Sequence, residues 1–130
     1  MTLLGESLLV AAGGAAGAVL RFLLNSWAVR AVPTYPAGGT LLVNVLGCFA
    51  IGVAVVLLED RDRRDPWRAA GVIGLLGSLT TFSTFGYQTV ELANEGFTRA
   101  AVLNVAANLL VGFAAVVAGL WVGRLLKPVA

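Results

Sequence analysis

Residues 69–90 read AAGVIGLLGSLTTFSTFGYQTV and contain no charged side chain over 22 positions. A bilayer's hydrocarbon core is about 30 Å thick and takes about 20 helical residues to cross, so this stretch, from about residue 68 to 90, reads as a transmembrane helix. Three more stretches pass the same test. The first runs from about Gly5 to Val29 and has one charge in its interior, Arg21. The second is charge-free from Ala31 to Leu58, but Pro33 and Pro36 near its start place the helix over about 38–58. The last, about 100–123, is also charge-free. Barrel strands would alternate with period two, and these uniform runs do not. The fold class expected is all-α: a membrane protein of four transmembrane helices in a single domain over residues 1–130.

Composition points the same way. Of 130 residues 58% are hydrophobic and 12% charged, against about 25% charged in an average soluble domain. So few charges could not coat a soluble globule. Histidine is absent and the single cysteine, Cys48, lies in an apolar run. This excludes an intrachain disulfide, a Cys/His zinc site and a histidine-based triad. No nucleophile and base can be paired to support an enzyme. A net charge of +2 is far too small for a nucleic-acid footprint. The N-terminus has no Lys or Arg before its apolar segment, which outruns a signal-peptide core, so a retained helix is expected and not a cleaved leader.

Half of the sixteen charges fall in EDRDRRDPWR, residues 59–68, which marks a solvent loop. With four spans, that loop and both termini share one side. Arg61, Arg63, Arg64, Arg68, Arg124 and Lys127 lie there; Arg30, Arg99 and, at depth, Arg21 lie towards the other. Six against three favours cytoplasmic termini, because Lys and Arg set the bias and acids do little to offset it.

Polar groups within spans are where function should show, since hydrocarbon offers them no partner. Thr40 and Asn44 are four apart on one helical face; Asn104 and Asn108 repeat the spacing, with Gly112 a turn further on. These amides read either as interhelical hydrogen bonds or, with no acid in the membrane, as a neutral donor-lined path suited to an anion. The segment GLLGSLTTFSTFG, 74–86, combines glycines with paired hydroxyls, so Gly77 to Thr81 is a weak point for helix near the bilayer midplane. A break there would free carbonyls for an ion; the alternative is a soft packing helix whose hydroxyls bond back to their own i−4 carbonyls. Phe82 and Phe85 share a face, with Ser83 and Thr84 between them. Ring edges are electropositive and can touch a small anion without trapping it, although such spacing also serves ordinary packing. Arg21 reads as snorkelling or as lining an aqueous mouth. Gly13 and Gly17 form a GxxxG pair for close helix packing.

The segments GGAAGAVLR (13–21), GTLLVNVLG (39–47) and GLLGSLTTFSTFG (74–86) resemble those of the Fluc/CrcB fluoride channels, and length, span number and motif order agree over essentially the whole chain. The resemblance implies a dimer of antiparallel subunits in the bacterial inner (plasma) membrane. Through two pores built from both chains it would export fluoride passively and relieve fluoride toxicity. It also implies a broken third helix and a structural sodium ion (Na+) at the dimer interface, held by the carbonyls of Gly77 and Thr80. By position, Phe82 and Phe85 become the aromatic fluoride contacts and Asn44 the pore amide. Ser83 and Thr84 become the polar track, Thr40 and Asn108 further lining, and Arg21 the vestibule residue. Two features depart from relatives: Asn108 stands where a small hydroxyl residue is common, and Gln88 where a glutamate is common. Dual topology needs a nearly balanced Lys/Arg distribution, so the uneven count here raises a heterodimer of two related subunits beside the homodimer.

Two other functions compete. A small multidrug exporter would need an acid within a span, and none lies deeper than Glu6. An accessory membrane protein without a pore has no reason to place Thr40, Asn44, Ser83, Thr84 and Asn108 in the bilayer.

Overall fold

The computed structural model describes residues 2–35, 37–62 and 64–127; Pro36 and Arg63, used above, lie outside them. Among the described residues all regular structure is helical. α1 spans Leu3–Ala31 and α2 spans Gly38–Leu57. α3 winds as a π-helix over Arg68–Leu76 and ends in one α-helical turn, Gly77–Leu79. α4 is Phe82–Asn94 and α5 is Thr98–Leu126. With α3 and α4 taken together as Arg68–Asn94, four helices are long and apolar enough to cross a membrane.

Local chemistry sets the ends. Thr2 caps α1, its Oγ1 accepting from the Gly5 N–H at 3.2 Å, and Glu6 follows in the first turn where the helix dipole favours an acid. α4 stops at Gly96, whose φ of +83° is open to glycine at little cost. The Gly96 N–H then donates to the Ala93 carbonyl at 3.1 Å and the Phe97 N–H to Leu92 at 2.8 Å, a Schellman closure that turns the chain into α5.

Backbones meet closely at small residues. A Cβ on Gly13 would strike the Ala70 carbonyl and one on Gly17 the Leu75 carbonyl, so the GxxxG pair does bring α1 onto α3. Gly52 and Gly119 do the same between α2 and α5: a Cβ on Gly52 would strike the Val116 carbonyl, and one on Gly119 the Phe49 carbonyl. α4 packs on α5, so the third span leaves α1 and joins α5 partway along its length. Large apolar side chains cover the outside, including Leu3, Phe22, Phe82, Leu110 and Phe113. That surface demands lipid or another apolar body.

Charge collects at one end. Lys127 at the foot of α5 pairs with Glu59 and with Asp60 at 2.6 Å, and Arg64 lies 3.9 Å from Glu6. The start of α1, the end of α5 and the connection around Glu59, Asp60 and Arg64 therefore meet on one side, as an even number of spans requires. Hydrogen bonds from Lys127 to Asp60 and Glu59 raise its pKa. Burial pushes the Asp65 carboxyl up, but hydrogen bonds from Arg61 and the Trp67 N–H outweigh it and hold Asp65 below the ordinary value.

Candidate anion pathway around Thr80 and Thr81

Helical angles end at Leu79 and return at Phe82. Thr80 has φ −84°, ψ 157° and Thr81 φ −151°, ψ 113°, both extended, whereas Gly77 keeps φ −62°, ψ −32°. Threonine's β-branch suits extended backbone. Thr81 then caps α4: its Oγ1 accepts from the Thr84 N–H at 3.2 Å and donates to Thr84 Oγ1 at 3.0 Å.

Extended residues inside a bundle need hydrogen bonds from elsewhere. Asn44 supplies them: its Oδ1 accepts from the Thr81 N–H at 2.9 Å and its Nδ2 donates to the Thr81 carbonyl at 3.3 Å. The same Nδ2 donates to Asn108 Oδ1 at 3.0 Å. Both amide hydrogens of Asn44 thus have acceptors within the chain. Because the Thr81 N–H is engaged by Asn44, the Gly77 carbonyl has lost the partner an unbroken α-helix would give it. The Thr80 carbonyl accepts from Arg21 Nη1 at 3.5 Å, the long end of a hydrogen bond. Arg21 accordingly reaches the middle of the third span.

The remaining candidates divide between two cavities on either side of Thr81. One, of about 380 Å³, is lined by Asn44, Gly77, Thr80, Phe82, Phe85 and Asn108, among others. Phe82 and Phe85 meet edge to face there, with ring centres 5.5 Å apart and planes at 64°. Phe85 is buried at 8% exposure while Phe82 stands out at 80%. The other cavity, of about 310 Å³, is lined by Arg21, Thr40 and Thr84 together with Asn25. Ser83 borders neither cavity; its hydroxyl lies 3.2 Å from Thr81 Oγ1.

Residues 8–120 match the family described as CrcB-like protein, Camphor Resistance (CrcB). The chain belongs to the CrcB-like family. Relatives of this CrcB-like chain carry the name fluoride-specific ion channel FluC. One from Solibacter usitatus is 42% identical over 120 residues, 92% of this chain and 95% of that protein. One from Rhizobium johnstonii is 41% identical over 122 residues, 93% of this chain and 98% of its own. One from Dehalococcoides mccartyi is 40% identical over 125 residues, 95% and 96%.

Several residues of this CrcB-like chain join the site without having been singled out as site residues from sequence. Thr81 is the hub of the hydrogen bonds, and only its place in a Thr-Thr pair hinted at it. Asn104, at 0% exposure, accepts from Tyr35 Oη at 3.3 Å and donates to Thr89 Oγ1 at 2.9 Å. Its spacing from Asn108 was visible, but its depth was not. Asn25 and Tyr35 gave no signal, because only the fold brings Asn25 to the second cavity and Tyr35 to Asn104 on α5.

Proposed function

We propose that this chain is one subunit of a passive, fluoride-selective channel of the bacterial plasma membrane, exporting fluoride and relieving its toxicity. The cavity in which Asn44, Asn108, Phe82 and Phe85 meet is the observation that carries this reading, and the name shared by its relatives supplies the ion. Fluoride is small and strongly hydrated, so a pathway must replace its water with donors. Amide and hydroxyl hydrogens and ring edges do this without a full positive charge that would hold the ion. Outward flow then needs only the fluoride gradient and the membrane potential, in keeping with spans that hold no acid deeper than Glu6.

The occupied donors of Asn44 sharpen the proposal. To meet an anion, Asn44 gives up its 3.3 Å bond to the Thr81 carbonyl, the longer of the two. Phe82 touches an ion away from water only if a second body covers it, since four-fifths of it is exposed. An antiparallel second subunit, the same chain or a related one, would provide that cover and complete two pores. The six-to-three Lys/Arg bias supports a related partner of opposite orientation. The non-helical Thr80–Thr81 segment would serve as the break at the pore centre. Thr40, Thr84 and Ser83 would form the polar approach, with Arg21 drawing anions to it.

A sodium ion at the interface suits the donor chemistry of this segment. Hard monovalent cations take uncharged oxygens, and the Gly77 carbonyl is left without its helical partner. Gly77 and Thr80 would hold the ion, which supplies a fixed structural charge, and Arg21 would have to yield the Thr80 oxygen to it.

Liposomes containing the purified chain and loaded with fluoride test the reading. Efflux of fluoride, with chloride retained, is expected from the chain alone if it pairs with itself, or on addition of a related subunit if it does not. No fluoride efflux in either arrangement overturns it.

A further inference from the structure

A chain of side-chain amides runs from the Thr80–Thr81 segment through the bundle, and its bond directions agree from the Thr89 hydroxyl at one end to the Thr81 backbone, which donates to and accepts from Asn44, at the other. Thr89 Oγ1 donates its only hydrogen to the Phe85 carbonyl at 2.8 Å, so it can offer Asn104 only lone pairs. Asn104 must therefore present Nδ2 to Thr89, at 2.9 Å, which turns its Oδ1 towards Asn108. Asn108 answers with Nδ2, at 3.2 Å to that oxygen and 3.0 Å to the Asn104 backbone carbonyl. Its own Oδ1 is then left facing Asn44, whose Nδ2 donates to it at 3.0 Å. That leaves Asn44 Oδ1 for the Thr81 N–H. An amide has one donor end and one acceptor end, so reversing any member would set two donors or two acceptors against each other.

We propose that Asn104 is a positioning residue: it ties the donor–acceptor polarity of the Asn108–Asn44 pair to the Thr89 anchor and so reinforces the acceptor end of Asn44 on the Thr81 N–H. Asn104 borders none of the cavities around Thr81 and is fully buried. It acts through Asn108 and Asn44 and not on an ion. This rests on the proposed channel only for its consequence in flux; the hydrogen bonding stands apart from it.

Hydrogen exchange at the Thr81 backbone amide, read by NMR on the full-length chain in lipid nanodiscs, tests the proposal directly. Asn104→Leu leaves Asn108 with the backbone carbonyl as its one remaining acceptor and is expected to speed Thr81 exchange about fivefold, the effect of one net hydrogen bond. Thr89→Val, which removes the anchor, should give the same acceleration, and the double variant no more than either alone. Asn104→Asp keeps an acceptor oxygen towards Asn108 and so should hold Thr81 exchange near the parental rate where Asn104→Leu does not. Fluoride efflux from liposomes should follow the same order. Unchanged Thr81 exchange in Asn104→Leu and Thr89→Val, multiplied effects in the double variant, or acceleration spread along all of α5 would overturn the proposal. If the parent chain passes no fluoride while Thr81 behaves as described, the channel reading fails and the positioning role stands.

Discussion

Asn44 is the side chain on which the site turns, because it bonds both polar groups of Thr81 and joins them to Asn108. An aspartate there keeps the acceptor and removes both donors. Asn44→Asp is expected to reduce fluoride efflux from liposomes to the protein-free level while the chain elutes from gel filtration as the parent does; efflux near the parental rate would remove Asn44 from the pathway. The two phenylalanines separate by burial. Phe82→Ile changes an exposed ring and should abolish efflux with helical content intact. Phe85→Ala opens a hole at a residue only 8% exposed and should lower stability by about 3 to 5 kcal/mol, read from denaturant or thermal melts in micelles. Phe82 and Phe85 were legible as a pair from their spacing of three. That one is buried and the other bare was not, because the helix face they share lies at the edge of the helical bundle.

At the level of helices, small residues decide who packs with whom. Gly17→Val places side-chain atoms on the Leu75 carbonyl and Gly119→Leu on the Phe49 carbonyl. Backbone cannot move aside as a flexible side chain does, so each is expected to broaden or abolish the gel-filtration peak; overpacking alone costs about 1 to 3 kcal/mol. A sharp parental peak for both would show that these contacts are looser than described. The GxxxG pair of α1 announced its packing in the sequence. The π-helical winding of α3 did not, since glycines at 71, 74 and 77 soften a helix without stating its pitch. Nor did the glycines mark where helical angles lapse. Gly77 stays helical and Thr80 and Thr81 do not, because the bonds that make extended backbone tolerable come from Asn44, 37 residues away in sequence.

Over the whole molecule, four spans could be read from apolar length, three of them charge-free, and the helices observed exceed or match those lengths within a few residues. The charged connection, the start of α1 and the end of α5 fall together through Glu6, Arg64, Glu59, Asp60 and Lys127. Asp65 accepts from Arg61 and from the Trp67 N–H at 2.8 Å. Its lowered pKa means that these bonds are present above the unfolded value of 3.8 and are lost as pH falls through the folded one. Emission from Trp67, with Trp27 and Trp121 replaced by phenylalanine, should hold steady through neutral pH and shift only below 3.8; a shift near neutrality would contradict the loop geometry. Orientation is tested by single cysteines at Ser7 and Arg30 in a Cys48→Ser background, labelled from outside intact cells. Labelling at Arg30 alone marks a fixed orientation and calls for a partner facing the other way, whereas equal labelling at both marks a dual-topology homodimer. What the molecule does with its pathway is read most directly as a reversal potential in a planar bilayer under a tenfold fluoride gradient and symmetric chloride. A passive fluoride pore predicts reversal at about 59 mV, the single-charge value for a tenfold ratio, unmoved by a pH gradient; reversal at zero, or one that follows pH, would contradict it.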